Sequence, residues 1–377
     1  VKESRALMES WEALRTQGTP CVLATVVGVT GSAYRRPGAR MLMTEEHWHA
    51  GSVSGGCLER ELLRKAFWLT SEGRPARLVF DSLSEDEAVF LRTGCGGRVE
   101  LLLERLRPDD ALNPVEFVSG CVRRRQAGLM ATVLHTEGTS PVELAARMLL
   151  DAEGQVRATP GLREVVPGLE ADARAVLAEG GSRVRTYEVD GGKLEIFLEV
   201  VQPPQPLVVF GSGHDVVPLV EAARAVGWHV TVVSRRPQEL SARLSGRADA
   251  VVGSPPETAL SALELGPRTA AVIMSHGYET DRTLLEALLH SPVRYIGVLG
   301  PRSRTERMLG ELAREGRAGT EAQRARVYGP AGLDVGAEGP EEIAVSIIAE
   351  VRAIMAGRSG GFLKDRKGPI HGGPSGS

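Results

Sequence analysis

Aromatic residues make up only 4% of this 377-residue chain, and there are four cysteines. Four thiols over that length do not form the disulfide framework of a small secreted domain, so reduced cysteines are expected. Lysine is nearly missing: 40 of the 45 basic residues are arginine, the mark of a GC-rich genome as much as of any function. The net charge is −3, and no basic tail or stripe argues for a nucleic-acid partner. No apolar run reaches the roughly 18 residues of a membrane span. The opening VKESRALMESWEALRTQG reads as an amphipathic helix without the apolar core of a signal peptide. The expectation is a cytoplasmic protein with neither a membrane nor a nucleic-acid partner.

Glycine is in excess, with 44 residues, about 12% against a usual share of about 7%. It gathers in particular loops. The length calls for two domains or more, and Gln202-Pro203-Pro204-Gln205-Pro206 is the clearest linker, since no helix or central strand crosses it. We expect an N-terminal domain over residues 1–201, the linker at 202–206, a second domain over 207–357 and a flexible Gly/Ser-rich tail at 358–377.

The first domain contains an internal repeat. ATVVGVTGSAYRRPGARMLMTEE from Ala24 aligns with ATVLHTEGTSPVELAARMLLDAE from Ala131, an offset of 107. GGRVELLLE from Gly96 aligns with GGKLEIFLE from Gly191 at an offset of 95, so the second copy is shorter near residues 81–94. The copies span about 20–106 and 128–201, each read as strand, glycine turn, strand, helix, strand. Their apolar positions agree and their loops do not. Copy one carries Arg35 and Arg36, Gly55-Gly56-Cys57, and Cys95 within Gly94-Cys95-Gly96-Gly97. The matching positions in copy two are Val142 and Glu143, Glu164 for Cys57, and Asp190 for Cys95. Two thiols, two guanidinium groups and glycine-rich backbone are therefore peculiar to copy one. A free cysteine is ordinarily a small buried hydrophobe, and Cys21 and Cys121 fit that account. Cys57 and Cys95 instead read as a soft ligand set or a sulfur-handling nucleophile.

The second domain alternates strands at 207–210, 229–233, 250–252, 269–275 and 295–299 with helical stretches, ending in a helix from Pro340. That order implies a parallel, doubly wound sheet. The fold class expected for the whole chain is α/β, a duplicated α+β domain followed by a Rossmann-like domain. Strand, Gly211-Ser212-Gly213, helix is the opening of a dinucleotide-binding unit, with Val216 where the third glycine of the fingerprint would fall. The acid that would hold a ribose is replaced by Ser234, followed by Arg235. An ordinary NAD site is thus disfavoured, while Arg235 can hold a phosphate. Gly300, Arg302 and Ser303 form a second candidate anion site at a helix start, with Arg304 beside them. His214, next to Asp215, and His276, near Asp281, suit a metal or acid–base set, although their spacing is no metal signature and a structural histidine is the simpler account of each. No dedicated metal site is expected.

GSAYRRPGARMLMTEE, GSVSGGCLERELL and GCGGRVELLLE resemble the N-terminal half of the XdhC/CoxI family, and VVFGSGHDVVPLVEAARAVGWHVTVVSRRP, SHGYETD, YIGVLGPRSR and GPAGLDVGAEGPEEIAVSIIAEV its Rossmann half. The resemblance implies a maturation factor that binds the molybdenum cofactor, as molybdopterin or molybdopterin cytosine dinucleotide. Such a factor holds the cofactor for sulfuration with a cysteine desulfurase and passes it to an apo molybdenum hydroxylase of the xanthine or CO dehydrogenase type. It also implies a homodimer and no enzymatic turnover. By the same resemblance Cys57 and Cys95 match the family's thiols. Gly211, Gly213 and His214 match its GxGH motif, His276 and Asp281 its strand-end pair, and Gly300 and Arg302 its G-S-R-type loop. The departures are Ser234 for the usual Asp and Pro301 for the usual Ser. The alternative function is an NAD(P)-dependent oxidoreductase using the Rossmann domain.

Overall fold

Strand β1, Val22–Gly31, shows how the chain folds: its alternate residues face opposite sides of a sheet, and both sides are covered. A computed structural model describes residues 2–31, 34–56, 58–81, 97–235, 243–244 and 246–367. Glu3–Pro203 pack as one unit, and Pro204 opens the second.

In the first unit the elements are α1 (Lys2–Gln17), β1, β2 (Arg40–Met43), β3 (Trp48–Gly51), α2 (Glu59–Leu69), β4 (Ala76–Asp81) and β5 (Gly97–Arg105). They continue as α3 (Pro114–Arg124), β6 (Gly128–Gly138), β7 (Arg147–Leu150), β8 (Val156–Ala158), α4 (Leu169–Glu179), β9 (Arg183–Val189) and β10 (Gly192–Val201). Two antiparallel five-stranded sheets result, ordered β3-β2-β1-β5-β4 and β8-β7-β6-β10-β9. The orders are identical, and so is the register. Gly31 lies opposite Gly97 in the first sheet, and Gly138 opposite Gly192 in the second. The duplication expected from the sequence is present.

Each copy is also larger than the repeat suggests. Val22, Ala24 and Val26 pack with Leu62 and Ala66 of α2, while Leu23 packs with Leu7, Trp11 and Leu14 of α1. Likewise Leu129, Ala131 and Val133 pack with Ala173 and Val176 of α4, and Met130 with Val118 and Cys121 of α3. Trp11 and Leu14 are related to Val118 and Cys121 by the same 107-residue offset, so each copy begins with its own helix. The short strands β3 and β8 escape the sequence pattern because four and three residues carry too little alternation to register.

The copies meet through a shared irregularity. Pairing of β1 with β5 skips Val27, and pairing of β6 with β10 skips Leu134, the equivalent residue. A bulge re-aims the extra side chain. Here Val27 and Leu134 join Leu102 and Phe197, themselves equivalent, in one buried cluster. Two crossed ion pairs flank it. Arg40 binds Glu199 through Nη1 at 2.8 Å and Nη2 at 2.6 Å, and Arg147 binds Glu104.

In the second unit β11 (Pro206–Gly211), α5 (Val216–Ala225), β12 (His229–Ser234), β13 (Ala250–Gly253), β14 (Ala270–Met274), α6 (Tyr278–Leu289), β15 (Tyr295–Val298), α7 (Arg302–Arg314), β16 (Val327–Tyr328) and α8 (Pro340–Met355) follow in turn. The sheet is parallel throughout, ordered β13-β12-β11-β14-β15-β16. One face packs on α5 and α8, the other on α6 and α7. This is the doubly wound Rossmann order, and its direction of growth reverses between β11 and β14. Ligands of such sheets bind outside the carboxyl ends at that reversal.

Candidate functional site

The carboxyl edge of the parallel sheet gathers most of the residues singled out in the second domain. Gly211 ends β11, and a Cβ on it would lie 2.6 Å from the Met274 carbonyl of β14, so only glycine lets these two strands sit so close. Ser212 and His214 are exposed in the turn, Ser234 is buried at the end of β12, and Arg235 after it is exposed. His276 follows β14 with φ +60°, a left-handed backbone rare outside glycine. Its side chain is 64% exposed, and Nε2 lies 3.3 Å from Oδ2 of Asp215 across the β11–β14 gap. Asp281, fully buried in the first turn of α6, accepts from the Ser275 hydroxyl and pairs with Arg304 Nη2 at 2.5 Å. Burial pushes the Asp281 carboxyl above its usual range despite the hydrogen bonds from Ser275 and Arg304.

At the β15 end, Gly300 has φ +123°, and α7 starts behind Pro301 with no side-chain cap and no acid in its first turn. Arg302 and Ser303 are exposed there, Arg302 pairing with Glu306 at 2.7 Å. Arg304, by contrast, faces inward to Asp281. Among the described residues, no three His, Cys, Asp or Glu side chains converge.

The glycine loop of copy one is organised by a residue that the sequence pattern does not single out. Glu59, 2% exposed at the start of α2, turns its carboxylate back into the loop. Its Oε1 accepts from the Ser52 hydroxyl at 2.7 Å and from the amides of Val53, Ser54 and Gly55 at 3.0, 2.9 and 3.3 Å. Its Oε2 accepts from the Ser54 hydroxyl at 2.5 Å and the Gly56 amide at 2.8 Å. Burial alone would raise its pKa, but the Ser54 and Ser52 hydroxyls and the backbone amides prevail and hold it at about 2. The amides of Gly55 and Gly56 are thus engaged by the protein's own carboxylate. Gly55 has φ +91° and Gly56 φ +124°, and the Tyr34 ring lies against Gly55, where a Cβ would be 2.9 Å from the ring. Arg35 donates through Nε to the Ser52 carbonyl at 3.0 Å and pairs with Glu3, so its guanidinium holds the loop; Arg36 is exposed.

Residues 207–351 match the XdhC Rossmann domain, and residues 14–81 and 121–188 match the XdhC and CoxI family. The chain belongs to the XdhC/CoxI family. It is 30% identical to a probable xanthine dehydrogenase component of Bacillus subtilis (strain 168), over 90% of this chain and 94% of that one. It is 23% identical to the molybdenum cofactor insertion chaperone PaoD of Escherichia coli (strain K12), over 89% of this chain and 84% of the relative. A crystal structure of a xanthine dehydrogenase from Bacillus halodurans superposes with a TM-score of 0.73 at 28% identity, covering 93% of this chain and 96% of that one.

In this XdhC/CoxI protein Cys57 and Cys95 lie outside the described residues. Cys21 and Cys121 are buried, and burial pushes their thiols up to about 12 and about 11, which makes them inert. The signal for Glu59 was available in the repeat. Its equivalent is Val166, 3% exposed, and Leu162, which replaces Gly55, is fully buried. Copy two fills the same loop with hydrocarbon, while copy one holds a carboxylate in a nest of amides.

Proposed function

We propose that this protein is a molybdenum cofactor chaperone. It binds molybdopterin or its cytosine dinucleotide, holds it while a cysteine desulfurase supplies the terminal sulfur, and delivers it to an apo molybdenum hydroxylase. The observation that carries this reading is that the likeness to the insertion chaperone PaoD runs through both units rather than through a shared Rossmann domain alone. Two features of the chain suit such a cargo. The uncapped start of α7, with Arg302 and Ser303 exposed behind Gly300, favours a phosphate. The loop held by Glu59 leads directly into Cys57, and a thiolate there suits soft molybdenum or a sulfur under transfer. His276 and Ser212, exposed at the β11–β14 reversal, supply further polar contacts. A homodimer is part of the same proposal.

Anaerobic purification followed by mass spectrometry of the bound small molecule tests it. A phosphorylated pterin should be recovered, and Cys57→Ala should lower activation of a co-expressed apo-hydroxylase at least tenfold. Pterin-free protein, together with unchanged activation by the variant, would sink the proposal.

A further inference from the structure

We infer that Asp215 bars pyrophosphate-linked ligands from the glycine turn of the Rossmann unit, so that the cargo this chain accepts ends in a single phosphate and carries no nucleotide. The inference rests on the chaperone reading for the identity of the cargo, but the exclusion itself stands on the geometry of the turn. In a turn of this kind the second glycine is bare so that the backbone can approach a pyrophosphate, whose charge the following helix start favours. Gly213 is that glycine. Here its bare face is already filled: a Cβ built on it would lie 2.2 Å from Oδ1 and 3.3 Å from Cγ of Asp215.

The carboxylate is held in this position from the other side of the strand reversal. His276 Nε2 lies 3.3 Å from Asp215 Oδ2 and would itself be 3.0 Å from a Gly213 Cβ. Asp215 is not serving the helix, because its side chain caps no amide of α5. Nor does Oδ1 gain from its place, since among the described residues it is buried without a hydrogen-bond partner, an arrangement that costs free energy. A negative charge kept at such a disadvantage on the pyrophosphate seat acts against a competing ligand by like-charge repulsion and by filling space. The other dinucleotide contact is missing too, as Ser234 ends β12 where an acid would grip a ribose.

The test uses the full-length protein with ADP-ribose and NADH as probes, titrated by calorimetry and nicotinamide fluorescence. Wild-type protein should show no saturable binding at millimolar probe. Asp215→Ala should gain at least tenfold affinity for ADP-ribose, and Asp215→Asn, which keeps the shape and removes the charge, should gain part of it. Unfolding midpoints should be unchanged or higher, because an unsatisfied acceptor is removed. ADP-ribose affinity that is equal in wild type and both variants, whether strong or absent, overturns the inference. A second arm reads the cargo: wild-type protein should release a pterin bearing one phosphate, and recovery of a cytosine dinucleotide from it also overturns the inference. If wild type retains no pterin of any form, the chaperone reading fails, while the ADP-ribose titration still decides the role of Asp215.

Discussion

Glu59 accepts hydrogen bonds from four backbone amides and two hydroxyls, and that count sets its behaviour with pH. Its carboxyl sits at about 2 in the folded protein against 4.5 ordinarily, a difference worth on the order of 3 kcal/mol. A depressed folded pKa stabilises above the unfolded value and is lost as pH falls through the folded one. Wild-type stability should therefore drop by that order between about pH 4.5 and about pH 2, beyond the drop in Glu59→Gln. At neutral pH the variant should be less stable by about 2–3 kcal/mol, because its amide presents donors to donors. Urea denaturation across that pH range checks both statements. The repeat marks Glu59 by setting it against Val166, but its bonding was not legible beforehand, because a lone acid after a glycine pair is unremarkable until the loop closes on it. Asp215 is a similar case. Its neighbours His214 and His276 stood out as residue types, but only the approach of β14 to β11 brought His276 onto the carboxylate.

At the scale of elements, the two copies are joined by equivalent residues, and the crossed ion pairs are the sharpest test of that seam. The Arg40 and Glu199 side chains are only 9% and 8% exposed. Arg40→Met should cost about 3–5 kcal/mol by stranding Glu199, and Arg40→Met with Glu199→Leu should recover most of that. A double-mutant cycle in denaturant measures it; additive losses would show that the pair is not coupled. The repeat itself was readable from the sequence because apolar periodicity is preserved at a fixed offset. The bulges at Val27 and Leu134 were not, since skipping one residue in a ladder leaves no trace in a run of valines and leucines.

For the whole molecule, the division at Pro204 gives the parallel sheet its own core on both faces, from Val209 and Ile347 on one side to Phe210 and Leu285 on the other. Residues 204–367 expressed alone should accordingly unfold in one cooperative transition by calorimetry. A broad, probe-dependent melt would contradict that. Among the described residues no helix is long and apolar enough to cross a membrane. By itself the sequence determined the alternation of strands and helices in the second domain, the duplication and the family, because periodicity, turn residues and motif order are properties of neighbours along the chain. The tertiary structure alone decided which polar groups face one another. It placed the Glu59 carboxylate in the amides of copy one and hydrocarbon in copy two, and it laid Asp215 across Gly213. Those encounters depend on how backbones approach in space, and no local pattern encodes them.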